Sequence, residues 1–312
     1  MLRTVPTITA EDLTKSWNSN AGLFDLDIEV EEGEIVALIG PSGSGKTTTV
    51  RLFIGTLAPD RGSVRLLGER PTEMGSRARE RIGYLPQENV LYPTLTIREN
   101  LNLAAAIYGL PRRRRKEAID EALELVDLND VEDRRMADAS GGMQRRASLA
   151  AAIVHRPEVL FLDEPTAGLD PILRRSIWEH FSVLQDSGTT LVVTTQFVGE
   201  AAYCDRVGVL STGRLLALMA PEDLRSHAYG GELLDVTFET PPSRELLDMV
   251  AGRIDGDYEG TGPRSVRFVV ADSGTAIPIV SEVAGKHGLS VSEAERFVPE
   301  FDDVFVEIVS RA

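Results

Sequence analysis

Cysteine is nearly missing from this chain, whose 312 residues include one, Cys204. A lone thiol cannot close an internal disulfide, so an oxidising compartment is not expected. Long apolar runs are missing as well. No stretch approaches the roughly 18 uninterrupted apolar residues that a membrane-spanning helix needs, and the opening Met1–Pro6 lacks the apolar segment of a secretion signal. Positive charge is in deficit: 33 Lys and Arg face 49 Asp and Glu, a net charge of −16. That balance argues against wrapping nucleic acid or lying on anionic lipid. Histidine is scarce too, and His155, His180, His227 and His287 have no metal-like spacing. These absences predict a cytoplasmic protein with no nucleic-acid partner and no direct membrane insertion, reaching a membrane only through another protein.

What is present is ordinary for a chain that buries a core, at 42% hydrophobic and 26% charged residues. The length suits two domains. The first 224 residues carry 25 basic and 33 acidic residues and the last 88 carry 8 and 16, so half of the net charge sits in the shorter part. Met219 to Gly231 carries Pro221, charge and Gly230-Gly231, the composition of a boundary. The expected division is 1–224 and 225–312.

Ile35–Ile39, Ile82–Leu85, Val159–Leu162 and Leu191–Thr194 read as buried strands among helical patterns, an α/β alternation. From about 92 to 157 the strand signals stop, and Glu99–Tyr108, Arg112–Leu128 and Met143–Val154 read as a helical insertion. Beyond the boundary, strands at Leu233–Glu239, Val266–Val270 and Leu289–Arg296 and helices at Ser243–Ile254, Thr275–His287 and Phe301–Ser310 predict a small α+β domain.

The strand Ile35–Ile39 runs straight into Gly40-Pro41-Ser42-Gly43-Ser44-Gly45-Lys46-Thr47, followed by Thr48. This satisfies G-x-x-x-x-G-K-[ST] in its strand-to-helix setting. Glycines let backbone N–H groups turn inward around phosphates, Lys46 reaches the β and γ oxygens, and Thr47 can bind Mg²⁺. A second apolar strand, Val159–Leu162, ends in Asp163-Glu164. Its tip suits a second Mg²⁺ ligand at Asp163 and a carboxylate at Glu164 that polarises the attacking water. Between the two lies Ala139-Ser140-Gly141-Gly142-Met143-Gln144, another anion-binding helix start. It makes sense if it serves the nucleotide of a partner.

With these motifs the chain resembles the ATP-binding subunits of ABC transporters, whose signature is usually written LSGGQ and which bind two ATP molecules between head-to-tail domains. The resemblance runs from about Thr7 to Leu218 through seven ordered motifs. It implies a P-loop ABC ATPase domain with a helical signature subdomain, ATP and Mg²⁺ as cofactors, ATP hydrolysis coupled to transport, a multi-span membrane permease as partner, and a homodimer or a pair with a paralogous subunit. It implies that Trp17 stacks on adenine; a core Trp near the first strands is the alternative reading of the residues. Gln87 matches the glutamine that contacts Mg²⁺ or the attacking water, in a loop that touches the membrane subunit. Asp170, in Ala167-Gly168-Leu169-Asp170, matches the loop linking the two sites, and Thr96–Asn100 falls where coupling to the permease is expected; a helix N-cap fits it equally.

Two departures matter. Ala139 stands where the family prefers Leu, which removes apolar packing but keeps Ser140, Gly141 and Gly142. Gln196 stands where most members have a histidine at the γ-phosphate; its amide can donate a hydrogen bond but cannot take up a proton. Hydrolysis is expected to be slowed rather than abolished, and a weakly hydrolysing, regulatory subunit is the alternative. Arg112–Lys116 opens a helix with positive charge, which suits lipid headgroups or an acidic partner, or a solvated face neutralised by Glu117, Asp120, Glu121 and Glu124. The ending Pro299-Glu300-Phe301-Asp302-Asp303-Val304-Phe305 resembles the closing element of daunorubicin-resistance-type export ATPases, which implies efflux; it also reads as the apolar face of a terminal helix.

Overall fold

The computed structural model describes residues 6–18 and 21–311, in two compact units, Met1–Leu218 and Met219–Ala312. Of Met1–Pro6, the stretch read as lacking the apolar segment of a secretion signal, Met1–Val5 lie outside the described residues.

The first unit opens with β1 (Ile8–Asn18) and β2 (Ala21–Val30), paired antiparallel. After β3 (Ile35–Ile39) and helix α1 (Lys46–Phe53), β4 (Arg61–Leu66) returns to the other side of β1. The resulting sheet, ordered β2-β1-β4, has no counterpart in the strands read from sequence. In β1 the pairing slips between Ala10 and Leu13 and again toward Lys15, with Asp12 at φ 49°, which breaks its period-2 pattern, whereas Leu26–Val30 of β2 alternates buried and exposed and was a legible strand signal.

The chain continues through α2 (Ser76–Arg79), β5 (Ile82–Leu85), α3 (Ile97–Ile107), α4 (Arg112–Leu125), α5 (Gly141–Ile153), β6 (Val159–Asp163), α6 (Pro171–Asp186), β7 (Thr190–Thr195), β8 (Arg206–Ser211) and β9 (Arg214–Met219). The strands form a six-stranded sheet ordered β5-β6-β7-β3-β8-β9. Pairing is parallel from β5 through β6, β7 and β3 to β8. Every residue of β3, β6 and β7 is buried, the condition under which strands read as continuous apolar runs rather than alternating ones. Register sets Ile39 beside Thr195 and Asp163 beside Thr194. Three strand ends, and the loops that follow them, thus open on one crevice, where ligands of parallel sheets bind.

Between β5 and β6 the described chain forms α3, α4, α5 and short 3₁₀ turns only. Thr96 caps α3 in a reciprocal box: its Oγ1 accepts from Glu99 N–H at 3.1 Å, and Glu99 Oε2 accepts from Thr96 N–H at 2.9 Å. The acids of α4 do not neutralise its basic start. Asp120 pairs with Arg98 and Glu121 with Arg156, whereas Arg112, Arg113, Arg114 and Lys116 are exposed and make no ion pair among the described residues.

The second unit begins with α7 (Pro221–Tyr229), inside the segment read as a boundary. Pro221 opens the helix, Glu222 and Asp223 complement its first turn, and Gly230 at φ 80° ends it, so start and stop signals had the look of a linker. Leu224, the expected division point, is fully buried in this helix. Then come β10 (Glu232–Phe238), α8 (Arg244–Ile254), β11 (Asp257–Gly260), β12 (Ser265–Val270), α9 (Ser273–Lys286), β13 (Val291–Phe297) and α10 (Phe301–Ser310). The sheet is antiparallel, ordered β11-β12-β10-β13, and from β10 onward the elements run β-α-β-β-α-β, the ferredoxin-like arrangement. Its core joins Leu234, Val236, Phe238 and Phe268 to Leu247, Val250 and Val280 of the helices. Phe301, Val304 and Ile308 are the buried face of α10, as its spacing predicts.

Candidate functional site

The loop between β3 and α1 turns through Gly43 and Gly45, at φ 81° and 109°, values that side-chain-bearing residues rarely adopt. Gly45 supplies no side-chain cap to α1 and the first turn contains no acid, which leaves the helix N-terminus free for an anion. Lys46 is buried and folds back over the loop, its Nζ donating to Gly40 O at 2.7 Å and Pro41 O at 3.2 Å. Nζ also lies 3.5 Å from Glu164 Oε1. Burial lowers the Lys46 pKa, and the neighbouring Glu164 and Asp163 carboxylates oppose that fall.

Glu164 follows β6 in a left-handed conformation, φ 53°. Its backbone N–H is shared between Thr194 O at 3.0 Å and Thr194 Oγ1 at 3.1 Å, so β7 fixes this strained residue. Asp163 Oδ1 accepts from Thr194 Oγ1 at 2.5 Å and from Thr47 Oγ1 at 3.2 Å. Its second oxygen, Oδ2, is buried without a partner, and so is Ser44 Oγ. Unpaired buried oxygens beside a hydroxyl and a carboxylate suit a hard divalent cation. Among the described residues no group of three or more His, Cys, Asp or Glu could hold a metal ion, so such an ion would also draw on neutral oxygens.

A cavity of about 460 Å³ gathers most of the residues singled out from sequence: Trp17, Ser42, Gly43, Gly45, Lys46, Thr47, Thr48, Gln87, Glu164 and Gln196. Trp17 is 59% exposed, which excludes the core reading. Gly40, Pro41, Ser44 and Asp163 do not line the cavity, yet Gly40, Pro41 and Asp163 are bonded to Lys46 or Thr47 on its wall. Ser140, Gly141, Gly142 and Asp170 do not line it either. Ser140 Oγ accepts from Met143 N–H at 3.3 Å as the cap of α5, and Asp170 Oδ1 accepts from Ile172 and Leu173 N–H as the cap of α6. Cys204 is buried, with burial pushing its thiol pKa up, so it is no reactive group.

Sequence reasoning missed three contributors. Thr194 orients Asp163, and Arg145 on α5 bonds the backbone after both β5 and β6. The third, Thr212, lines the cavity from the turn after β8. The adjoining Gly213, φ 79°, donates its N–H to Ser44 O at 3.1 Å and passes so near Gly22 that a Cβ would lie 2.3 Å from Gly22 O. Two glycines and a polar turn could have flagged that segment; nothing local marks Thr194.

This phosphate-loop crevice, closed by an acid-tipped strand, defines a P-loop ATPase domain. Residues 23–167 match the family described as ABC transporter. The chain is 35% identical to the daunorubicin resistance ATP-binding protein DrrA2 of Streptomyces coeruleorubidus, over 96% of this chain and 94% of that protein. It is 38% identical to the probable multidrug ABC transporter ATP-binding protein YbhF of Escherichia coli (strain K12) over 74% of its own length, and so spans about two fifths of that relative, 40%. Among solved structures, a dimeric ATP-binding cassette in a post-hydrolysis state bound to ADP and Pi superposes with TM-score 0.63 at 26% identity, covering 68% of this chain and 98% of that one. The chain belongs to the ABC transporter family of ATP-binding proteins. Its fold is that of the family's nucleotide-binding ATPase domain, followed by a small α+β unit.

Proposed function

We propose that this chain is the ATP-hydrolysing subunit of an efflux-type ABC transporter, working with a separate multi-span membrane permease. The observation that carries the ATP-hydrolysing part of this reading is the buried pair Lys46–Glu164 at 3.5 Å on the wall of the crevice, beside an Asp163 whose Oδ2 lacks a partner. Glycine-loop N–H groups and Lys46 bind the β and γ phosphates. Thr47, Asp163 and Gln87 would hold Mg²⁺, which neutralises charge on those oxygens. Glu164 polarises the attacking water, and Gln196 donates from its amide to the γ-phosphate. Trp17 stacks on adenine.

Ser140, Gly141 and Gly142 serve the nucleotide of a second copy or a paralogue, and Asp170 links the two sites. Their absence from this chain's own cavity supports that division. The Gln87 loop and Thr96–Asn100 transmit closure to the permease, which holds the chain at the inner face of the cell membrane. No helix among the described residues is long and apolar enough to cross one.

Steady-state ATPase measurement on the purified chain, with Lys46→Ala as blank, tests the reading. Turnover above the blank that Glu164→Gln abolishes supports it; turnover unaffected by Glu164→Gln refutes the assigned base. A weakly hydrolysing regulatory subunit is the second reading, favoured by Gln196 on the cavity wall where the family's histidine is expected. ATP binding with turnover only marginally above the Lys46→Ala blank would select it. Co-purification of a multi-span membrane protein tests the transport role itself.

A further inference from the structure

Arg145 spends every N–H of its guanidinium on backbone carbonyls. Nε donates to Pro165 O at 2.9 Å. Nη1 donates to Pro86 O at 2.7 Å and Gln87 O at 3.2 Å, and Nη2 to Asp163 O at 2.7 Å and Glu164 O at 2.8 Å. The five acceptors are Asp163, the last residue of β6, and residues of the segments that leave β5 and β6, neighbouring parallel strands that run in register up to Leu85 and Leu162. Arg145 itself stands on α5, five residues beyond Ser140, the cap of that helix. One planar fork therefore bonds three parts of the chain: the Gln87 loop, the Glu164 turn and the helix that begins Gly141-Gly142.

Charged donors make the stronger hydrogen bonds, and a rigid five-donor fork tolerates little relative movement of its acceptors. We propose that Arg145 is a positioning residue that sets Gln87 and Glu164 at this chain's ATP site together with the Ser140 end of α5, which serves the partner copy's site. A shift of α5 on engaging the partner's nucleotide is thereby passed to this chain's own water-activating carboxylate. The inference rests on the function proposed above. Arg145 touches no atom of the cavity wall except through backbone, so its removal acts on turnover rather than on nucleotide affinity. Misplacing a catalytic group by about 1 Å costs on the order of 10²-fold in rate.

The test uses the full chain with Arg145→Lys, which keeps the charge and loses the fork, and Arg145→Gln. Backbone hydrogen exchange is expected to quicken at both 86–89 and 163–166 while the phosphate loop 40–48 stays as protected as before. Affinity for mant-ATP stays within about threefold, and kcat falls roughly 10- to 100-fold. Exchange that quickens at only one segment or at neither, or affinity and kcat falling in parallel, overturns the assignment. Should Arg145→Gln fail to fold, Arg145→Lys carries the same two readouts; a lysine variant with unchanged exchange and kcat also overturns it. A parent chain that hydrolyses no ATP refutes the proposed function, and the exchange arm still decides the role of Arg145.

Discussion

Thr194 Oγ1 donates a 2.5 Å hydrogen bond to Asp163 Oδ1, and the other carboxylate oxygen stays buried without a partner. The hydroxyl thus fixes which oxygen of Asp163 is left over for a cation. Removing an outer partner of this kind commonly weakens metal affinity about 10- to 100-fold. Thr194→Val, close in volume, is expected to raise the Mg²⁺ concentration for half-maximal ATPase by at least about tenfold. An unchanged Mg²⁺ titration would mean that β7 backbone alone orients Asp163.

Gln196 lies at the end of β7 and lines the same cavity as Lys46 and Glu164. In the role proposed for it, its amide replaces one donor but offers no positive charge to the γ-phosphate. Losing a transition-state donor outright costs about 10²–10³ in rate, so a retained amide costs less. Gln196→His is expected to raise kcat severalfold with little change in mant-ATP affinity. A rate that stays level or drops in the histidine variant would show a site adapted to glutamine.

Legibility followed distance along the chain. The phosphate loop could be read because strand, glycines, Lys46 and Thr47 fall within the 13 residues from Ile35 to Thr47, and β3, β5, β6 and β7 because strands buried on both faces are plainly apolar. Thr194 reaches Asp163 across 31 residues and Arg145 reaches Pro86 across 59, contacts that only sheet register and the seating of α5 create. In the β2-β1-β4 sheet the slipped register of β1 blurred one strand, while the alternation of Leu26, Ile28 and Val30 in β2 was there to be read. Pro221 and Gly230 misled for a different reason: the same residue types punctuate linkers and begin and end helices, and only the burial of Leu224 tells which.

His155 stacks on Tyr108 at 3.6 Å, and its Nε2–H donates to Ile82 O at 3.0 Å. Burial lowers its pKa to about 4, with the carbonyl contact pulling the other way. Above about pH 7.5 the ring is neutral folded and unfolded, so it adds no pH dependence. As pH falls through about 6.5 the unfolded chain takes up a proton that the folded chain refuses, and stability declines until about pH 4. The thermal midpoint of the wild type is expected to fall across that window more steeply than that of His155→Gln. Identical pH slopes for the two proteins would contradict a buried neutral ring.

Gly213 occupies φ 79° with Gly22 O where a Cβ would stand, and its N–H holds Ser44 O in the phosphate loop. Gly188 shares the left-handed conformation, φ 95°, but has open space around it. Gly188→Ala should cost roughly 1 kcal/mol, the conformational term alone, and leave nucleotide binding intact. Gly213→Ala adds a backbone clash and should cost at least about 2 kcal/mol while weakening mant-ATP binding. Equal losses in the two variants would show that the loop yields and that the close approach to Gly22 is unimportant.

The acidity of the chain is densest in its second unit, where Met219–Ala312 carries 8 basic and 18 acidic residues and no nucleotide motif. We expect that unit to be an assembly surface, and the structure decides where to cut to test it. Ending the chain at Leu224 would leave half of α7, stripping fully buried Leu224 of its cover and removing Arg225, whose guanidinium stacks on Phe301 at 3.9 Å. Such a fragment exposes apolar surface and should aggregate for reasons unrelated to function. A chain of 1–218 ends between the compact units instead. It should bind mant-ATP within threefold of the parent, while the Glu164→Gln form of it dimerises with ATP on the order of tenfold more weakly, about 1.4 kcal/mol. Parental dimerisation by 1–218 in sedimentation measurements would remove the second unit from assembly and leave its acidity without a role in pairing.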